Sequence, residues 1–138
     1  MSNSDNMLKE YIIRSSKREE FIDITWHVQQ AVRESGIEEG VVVVYTPHTT
    51  AALTINENAD PSVREDILRF LRKMIPREGD YTHVEGNADA HIKSSLLGVS
   101  LNLLVSRRRL LLGTWQGIFF CEFDGPRTRK FYVKVVGK

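Results

Sequence analysis

A chain of 138 residues, 41% hydrophobic and 27% charged, has the size and composition of one globular domain that buries a core without covalent staples. Nineteen Lys and Arg against eighteen Asp and Glu leave a formal charge of +1, so no global field recruits nucleic acid or an anionic membrane. The single cysteine, Cys121, excludes an intramolecular disulfide and any multi-cysteine zinc knuckle, which leaves four histidines as candidates for a metal site made from one chain.

In chain order, Met1 to Asn6 read as a polar, frayed tail lacking the apolar stretch of a signal peptide. No apolar run reaches the ~20 residues that span a bilayer, and with the lone cysteine this predicts a cytoplasmic protein. Leu8–Ser15 and Glu20–Asp23 flank a Ser-Ser-Lys-Arg-Glu turn and read as a hairpin. Ile24, Val28, Ala31 and Val32 have helical spacing, with Gly36 placed to end the helix in a left-handed cap. Val41–Tyr45 is a continuous apolar run, the pattern of a central strand covered on both faces. Thr50–Ile55 follows as a strand with Ala51, Leu53 and Ile55 on one face.

Asp60-Pro61 opens the clearest helix: the carboxylate can cap free N–H groups, and proline at the first position sacrifices no hydrogen bond. Val63, Ile67, Phe70, Leu71, Met74 and Ile75 form its apolar stripe before Pro76. After a polar loop over 77–86, Asn87 reads as the cap of a third helix running to Leu97 and ended by Gly98. Leu101–Ser106, Arg109–Leu112, Trp115–Phe123 and Thr128–Val136 read as strands, the last two joined by an Asp124-Gly125-Pro126 turn. The expected fold is α+β, a mostly antiparallel sheet or sandwich packed with two or three helices, as one domain over 1–138.

There is no Walker A sequence, dinucleotide-binding glycine fingerprint, nucleophile elbow or His-Glu-x-x-His zinc helix. Polar residues instead stand where composition alone would not put them. His48 lies between two apolar strands, and Asn56, Glu57 and Asp60 cluster after the second. His83, Asn87, Asp89 and His91 fall within nine positions, and Gln116 and Glu122 interrupt an apolar strand on one face. Ionisable groups beside apolar stretches are costly unless paired or set in a cleft. His27, on the apolar side of its helix, reads as structural, and Asp60 and Asn87 are accounted for by capping. A cationic imidazole is disfavoured in a helix's first turn, which keeps His91 in the neutral form that binds metal or acts as a base. His48, His83 and His91 can supply the three protein ligands of a zinc-like site with an open position; unrelated loop histidines are the competing reading. Arg127 and Arg129 share a strand face and carry the forked geometry that binds phosphate or carboxylate, and a salt bridge to Asp124 or Glu122 is equally economical. Arg107-Arg108-Arg109 reads as a solvated strand connection.

Three stretches carry a family resemblance. His48-Thr49-Thr50-Ala51-Ala52-Leu53-Thr54-Ile55-Asn56-Glu57 with Asp60-Pro61 and Asp66 is the first. His83-Val84-Glu85-Gly86-Asn87-Ala88-Asp89-Ala90-His91 is the second. Leu112-Gly113-Thr114-Trp115-Gln116-Gly117-Ile118 with Glu122 and Asp124-Gly125-Pro126-Arg127 is the third. In this order they resemble the signatures of the YjbQ-like family; the arginine run departs from it, where a glycine turn is expected. The resemblance implies an α+β homotrimer with a polar pocket near subunit contacts and a secondary thiamine-phosphate synthase activity. That reaction joins hydroxymethylpyrimidine diphosphate to thiazole phosphate and releases diphosphate.

On that resemblance His48, His83 and His91 are metal ligands or proton-transfer groups, and Glu57 and Glu122 orient imidazoles. Gln116 bonds substrate or water, while Arg127 with Asn56, Asn87 and Asp89 holds the phosphorylated substrate. The cofactor is a divalent metal, either zinc-like on the histidines or Mg²⁺ on diphosphate. A metal-dependent hydrolase and a non-catalytic, small-anion-binding trimer are the competing functions. Membrane association is not expected, and nucleic acid is the least favoured partner.

Overall fold

The computed structural model describes residues 8–138; the expected tail over 1–6 lies outside them. Eleven elements follow in order: β1 (Leu8–Arg14), β2 (Glu20–Asp23), α1 (Thr25–Ser35), β3 (Glu39–Tyr45), β4 (Ala51–Glu57), α2 (Pro61–Met74), α3 (Ala88–Leu97), β5 (Ser100–Ser106), β6 (Arg109–Leu110), β7 (Gln116–Glu122) and β8 (Thr128–Gly137). They build an antiparallel sheet of order β1-β8-β3-β5-β6 and a second of order β2-β7-β4, so the α+β expectation holds, with three helices. No helix among the described residues is long and apolar enough to cross a membrane.

β1 and β2 do not form the expected hairpin. β1 pairs with β8 and β2 with β7, so the Ser15–Glu19 connection carries the chain from one sheet to the other. Ser15 N–H donates to the Arg127 carbonyl at 3.0 Å and Gly125 N–H to the Arg18 carbonyl at 2.9 Å. Two strands separated by a plausible turn are locally indistinguishable from a hairpin; long-range ladders decided the matter.

The main core lies where Ile24 and, from α1, Val28 and Val32 meet the inner faces of both sheets, through Val42, Val44, Leu53, Ile118, Phe120, Phe131 and Val133. A second cluster, Ala52, Ala90, Phe119, Cys121 and Phe123, packs the other face of the three-stranded sheet beneath the later helices. β7 is therefore the strand buried on both faces, and burial pushes the Cys121 thiol well above its ordinary pKa. The apolar run Val41–Tyr45 occupies the centre of the larger sheet but is covered on one side only. Val42 and Val44 are buried, whereas Val41, Tyr45, Leu104 and Val136 remain exposed on the outer face.

Gly36 ends α1 with φ 72°, and Asp60 caps α2 by accepting the Ser62 N–H at 3.0 Å. Asn87 stands at the N-terminal boundary of α3 without the expected cap bond; its amide Nδ2 donates instead to Asp124 Oδ2 at 2.9 Å. β6 stops at Leu110, two residues short of the expected strand, and β4 extends to Glu57. The two-residue turn between β5 and β6 places Arg107 and Arg108 at φ 54° and 66°, the left-handed region that costs an L-residue about 1–2 kcal/mol.

Candidate functional site

A cleft of about 630 Å³ opens where the β3–β4 loop meets α3, lined by Thr46, Pro47, His48 and Thr49 on one wall and His91, Ser94 and Ser95 on the other. Each wall has a local cause. Pro47 ends β3, so the chain turns out of the sheet and presents His48. On α3, Ser94 lies one turn beyond His91 and donates its hydroxyl to the Ala51 carbonyl at 2.7 Å, which seats the helix on β4. His91 also lines an adjoining hollow of about 490 Å³ with Tyr81 and His83. The His83 and His91 rings stand edge to face with centroids 5.3 Å apart. His48 and His91 thus line one cleft, and His91 is the hinge to His83.

His48 Nε2 accepts the backbone N–H of Lys130 at 3.0 Å. With that lone pair engaged, the neutral ring carries its proton on Nδ1. Burial first, then the Arg129 guanidinium, hold the imidazole below its ordinary pKa. This arrangement does not fit His48 as a metal ligand, because its free nitrogen is a donor. His83 and His91 do have the donor chemistry for a shared cation. Among the described residues no group of three His, Cys, Asp or Glu side chains converges as a metal site, so the expected three-histidine set does not assemble within one chain.

Glu122 is paired with one cation and Asp89 with two. Glu122, fully buried, accepts Arg129 Nε at 2.9 Å, the Ser15 hydroxyl at 2.7 Å and the Asp124 N–H at 2.9 Å. Burial would raise its pKa, but these hydrogen bonds outweigh burial and leave the carboxyl below its ordinary value. Asp89, also fully buried, accepts Arg18 and Lys93, the latter at 2.8 Å, with the same net direction for the same reasons. Lys93, itself inaccessible, also reaches Glu19 at 2.7 Å. Arg127 is half exposed and donates to Asp124 at 2.9 Å, the carboxylate that holds Asn87, so Asp124 gathers two residues expected to meet substrate.

Asn56, Glu57 and Gln116 lie elsewhere. The β4–β7 ladder pairs Ala51 with Glu122 at one end and Glu57 with Gln116 at the other, a separation of about 20 Å at ~3.4 Å per residue. Within one chain they do not reach the histidine cleft. Gln116 Oε1 instead accepts the Gly113 N–H at 2.8 Å. Sequence reasoning passed over Lys93 and Arg18, the cations that neutralise buried Asp89, whereas the Arg129–Glu122 pair is the salt-bridge alternative it left open. What decides between its two readings is that Arg129 shares the inward face of β8 with Phe131, Val133 and Val135 and so requires a buried partner.

The family model described as "UPF0047 protein YjbQ-like" matches residues 9–138. A UPF0047 protein of Methanocaldococcus jannaschii is 57% identical over 131 residues, 95% of either chain. UPF0047 protein YugU of Bacillus subtilis is 53% identical over 95% of this chain and its own full length. Among solved structures, an uncharacterised YjbQ/UPF0047 protein of Clostridium acetobutylicum is similar with TM-score 0.92 and 56% identity, over 93% of this chain and 99% of that one. A protein of unknown function from Sulfolobus solfataricus gives TM-score 0.92 at 32% identity, over 96% and 97%.

Proposed function

The chain belongs to the UPF0047 YjbQ-like family, and on that footing we propose that it is a cytoplasmic enzyme acting on phosphorylated small molecules in the cleft between His48 and His91. The reaction proposed is thiamine-phosphate synthesis, the joining of hydroxymethylpyrimidine diphosphate to thiazole phosphate with release of diphosphate. The observation that carries this reading is the polar cleft walled by two imidazoles from different elements. His48 offers it an Nδ1–H donor fixed by the Lys130 bond. Departing diphosphate needs stabilisation of developing negative charge, for which Arg127 supplies a half-exposed guanidinium. A divalent cation would supply the same stabilisation as a Lewis acid, with His83 and His91 of this chain as its protein ligands.

The reading extends to a homotrimer. The larger sheet leaves Val41, Tyr45, Leu104 and Val136 exposed on one face around Asn102 and Lys134, and an exposed patch of large apolar residues marks a protein interface. Glu57, Asn56 and Gln116, too far to serve their own cleft, serve that of a neighbouring subunit.

The test is turnover of the two phosphorylated substrates by pure protein, read as thiamine phosphate and diphosphate. His91→Ala lowers the rate about 100-fold, the scale of a lost proton-transfer group, and His48→Gln, which removes the fixed Nδ1–H donor, does so about equally, while far-ultraviolet circular dichroism is unchanged. Undiminished turnover in both variants overturns the assignment. The His83–His91 pair favours metal-assisted hydrolysis as the second reading, distinguished by phosphate release without the condensing partner and its loss on chelation. Saturable diphosphate binding in the cleft without turnover would return a small-anion-binding trimer.

A further inference from the structure

The end of the larger sheet away from the histidine cleft carries a cluster of cations that the proposed reaction does not use. Register places Tyr45 opposite Ser100 at the cleft end of the β3–β5 ladder and Glu39 opposite Ser106 at the other, about 20 Å away. There the β5–β6 turn and the last turn of α1 enclose a hollow of about 720 Å³ lined by Gln29, Arg33, Arg107, Arg108 and Arg109. Among the described residues none of these four guanidinium groups has a carboxylate within ion-pair distance.

The neighbouring acids hold other partners. Glu39 accepts the Arg107 backbone N–H at 3.0 Å and the Ser106 hydroxyl at 3.4 Å. Glu34 pairs with Lys9. Glu38 contributes its carbonyl, which accepts the Arg108 N–H at 3.1 Å. Arg33 bonds the neutral Gln30 at 2.7 Å, and as a cation in a helix's last turn it has a local reason to be there. Arg107 and Arg108 of the turn and Arg109 beside it have none. A two-residue hairpin with both central φ angles positive is the geometry that Asn-Gly satisfies with least strain. Here two arginines hold it, and backbone strain at a position of concentrated charge points to a ligand. Gln29 Oε1 accepts the Leu110 N–H at 3.3 Å, leaving its amide nitrogen as a further donor beside the guanidinium groups.

We propose that this hollow is a second anion site, separate from the histidine cleft, that takes a diphosphate or polyphosphate group through the forked donors of Arg107, Arg108, Arg109 and Arg33. Its concave shape and compact charge suit several phosphoryl oxygens held at once. Occupancy cancels like-charge repulsion on the turn and stiffens the β5–β6 hairpin against α1.

The experiment is calorimetric titration of the pure protein with sodium diphosphate at 150 mM salt. It is run on the unaltered chain, on His91→Ala, and on a double variant, Arg107→Asn with Arg108→Gly. The double variant suits the turn better than the native pair, so its melting temperature is expected to stay level or rise. The expected result is a binding component that survives His91→Ala and weakens at least 10-fold in the double variant. Absence of binding to the unaltered chain, or binding lost in His91→Ala and kept in the double variant, overturns the site. A single-stranded oligouridylate binding at least 10-fold tighter than diphosphate through the same arginines, with a steep salt dependence, would replace the small-anion reading with a nucleic-acid one. None of these outcomes depends on catalytic turnover.

Discussion

His48 Nε2 receives the backbone N–H of Lys130 at 3.0 Å, so one imidazole ties the β3–β4 loop to β8 and is held in one tautomer by that tie. Protonation would set one N–H against another, beside Arg129, Lys130 and Arg127, with Glu122 as the opposing charge. Burial lowers the pKa of His48 and also of His27, which packs edge-on against Tyr11 and Phe131. Both groups bind a proton less readily folded than unfolded. Their contribution to stability is therefore complete above about pH 6.5, the unfolded value, and is lost as pH falls through the lower folded values. The melting temperature is expected to drop between pH 7.5 and 5, and His48→Gln to flatten part of that drop. A flat profile over this range in the unaltered chain would refute the linkage.

The Arg129–Glu122 pair gives a second prediction. Both side chains are inaccessible, and Arg129 also donates to the Thr50 hydroxyl at 2.8 Å. Arg129→Met strands a buried carboxylate and is expected to cost about 3–5 kcal/mol in urea unfolding. Adding Glu122→Gln removes the stranded charge and recovers part of the loss. A double variant no more stable than Arg129→Met would show that charge burial is not the source of the effect.

The open face of the larger sheet predicts assembly. Val43 lies on that face between Val41 and Tyr45, and its cross-strand neighbours are Asn102 and Lys134. The proposed homotrimer is expected to sediment at three times the chain mass, and Val43→Lys to sediment as the monomer with unchanged circular dichroism. A monomeric unaltered chain would remove the trimer from the proposal.

Gly40 offers a packing test. A Cβ there would lie 2.1 Å from the Val136 carbonyl oxygen and 3.0 Å from the Gly137 Cα, backbone atoms that cannot swing away. Gly40→Ala is expected to cost about 1–3 kcal/mol, the range of core overpacking, and to lower the melting temperature by several degrees. An unchanged melting temperature would mean that the β3–β8 ladder shifts freely at this end.

Local chemistry made much of this protein legible. The Asp60-Pro61 start of α2, the Gly36 stop of α1 and the apolar strands needed only capping rules and periodicity, because their causes lie within a few residues. Asn87 misled for an instructive reason: its capping geometry was local, but Asp124, 37 positions away, took its amide. Glu122 was conspicuous as a charge on an apolar strand and Arg129 was one of its candidate partners, but only the fold, which brings β7 and β8 together, chose the salt bridge over anion binding.

By itself the sequence determined the α+β class, the order of the helices, the family and the candidate histidines, since periodicity, caps and motif residues act over short range. Tertiary structure alone decided that β1 and β2 belong to different sheets, because strand pairing is set by distant ladders. It also decided which candidates meet. His48 and His91 share a cleft because Ser94 seats α3 on β4, whereas Glu57 and Gln116 end about 20 Å away because the β4–β7 register carries them there. The near-neutral charge of +1 excluded a global field but concealed a local one: four arginines reach one hollow only after the β5–β6 turn folds against α1.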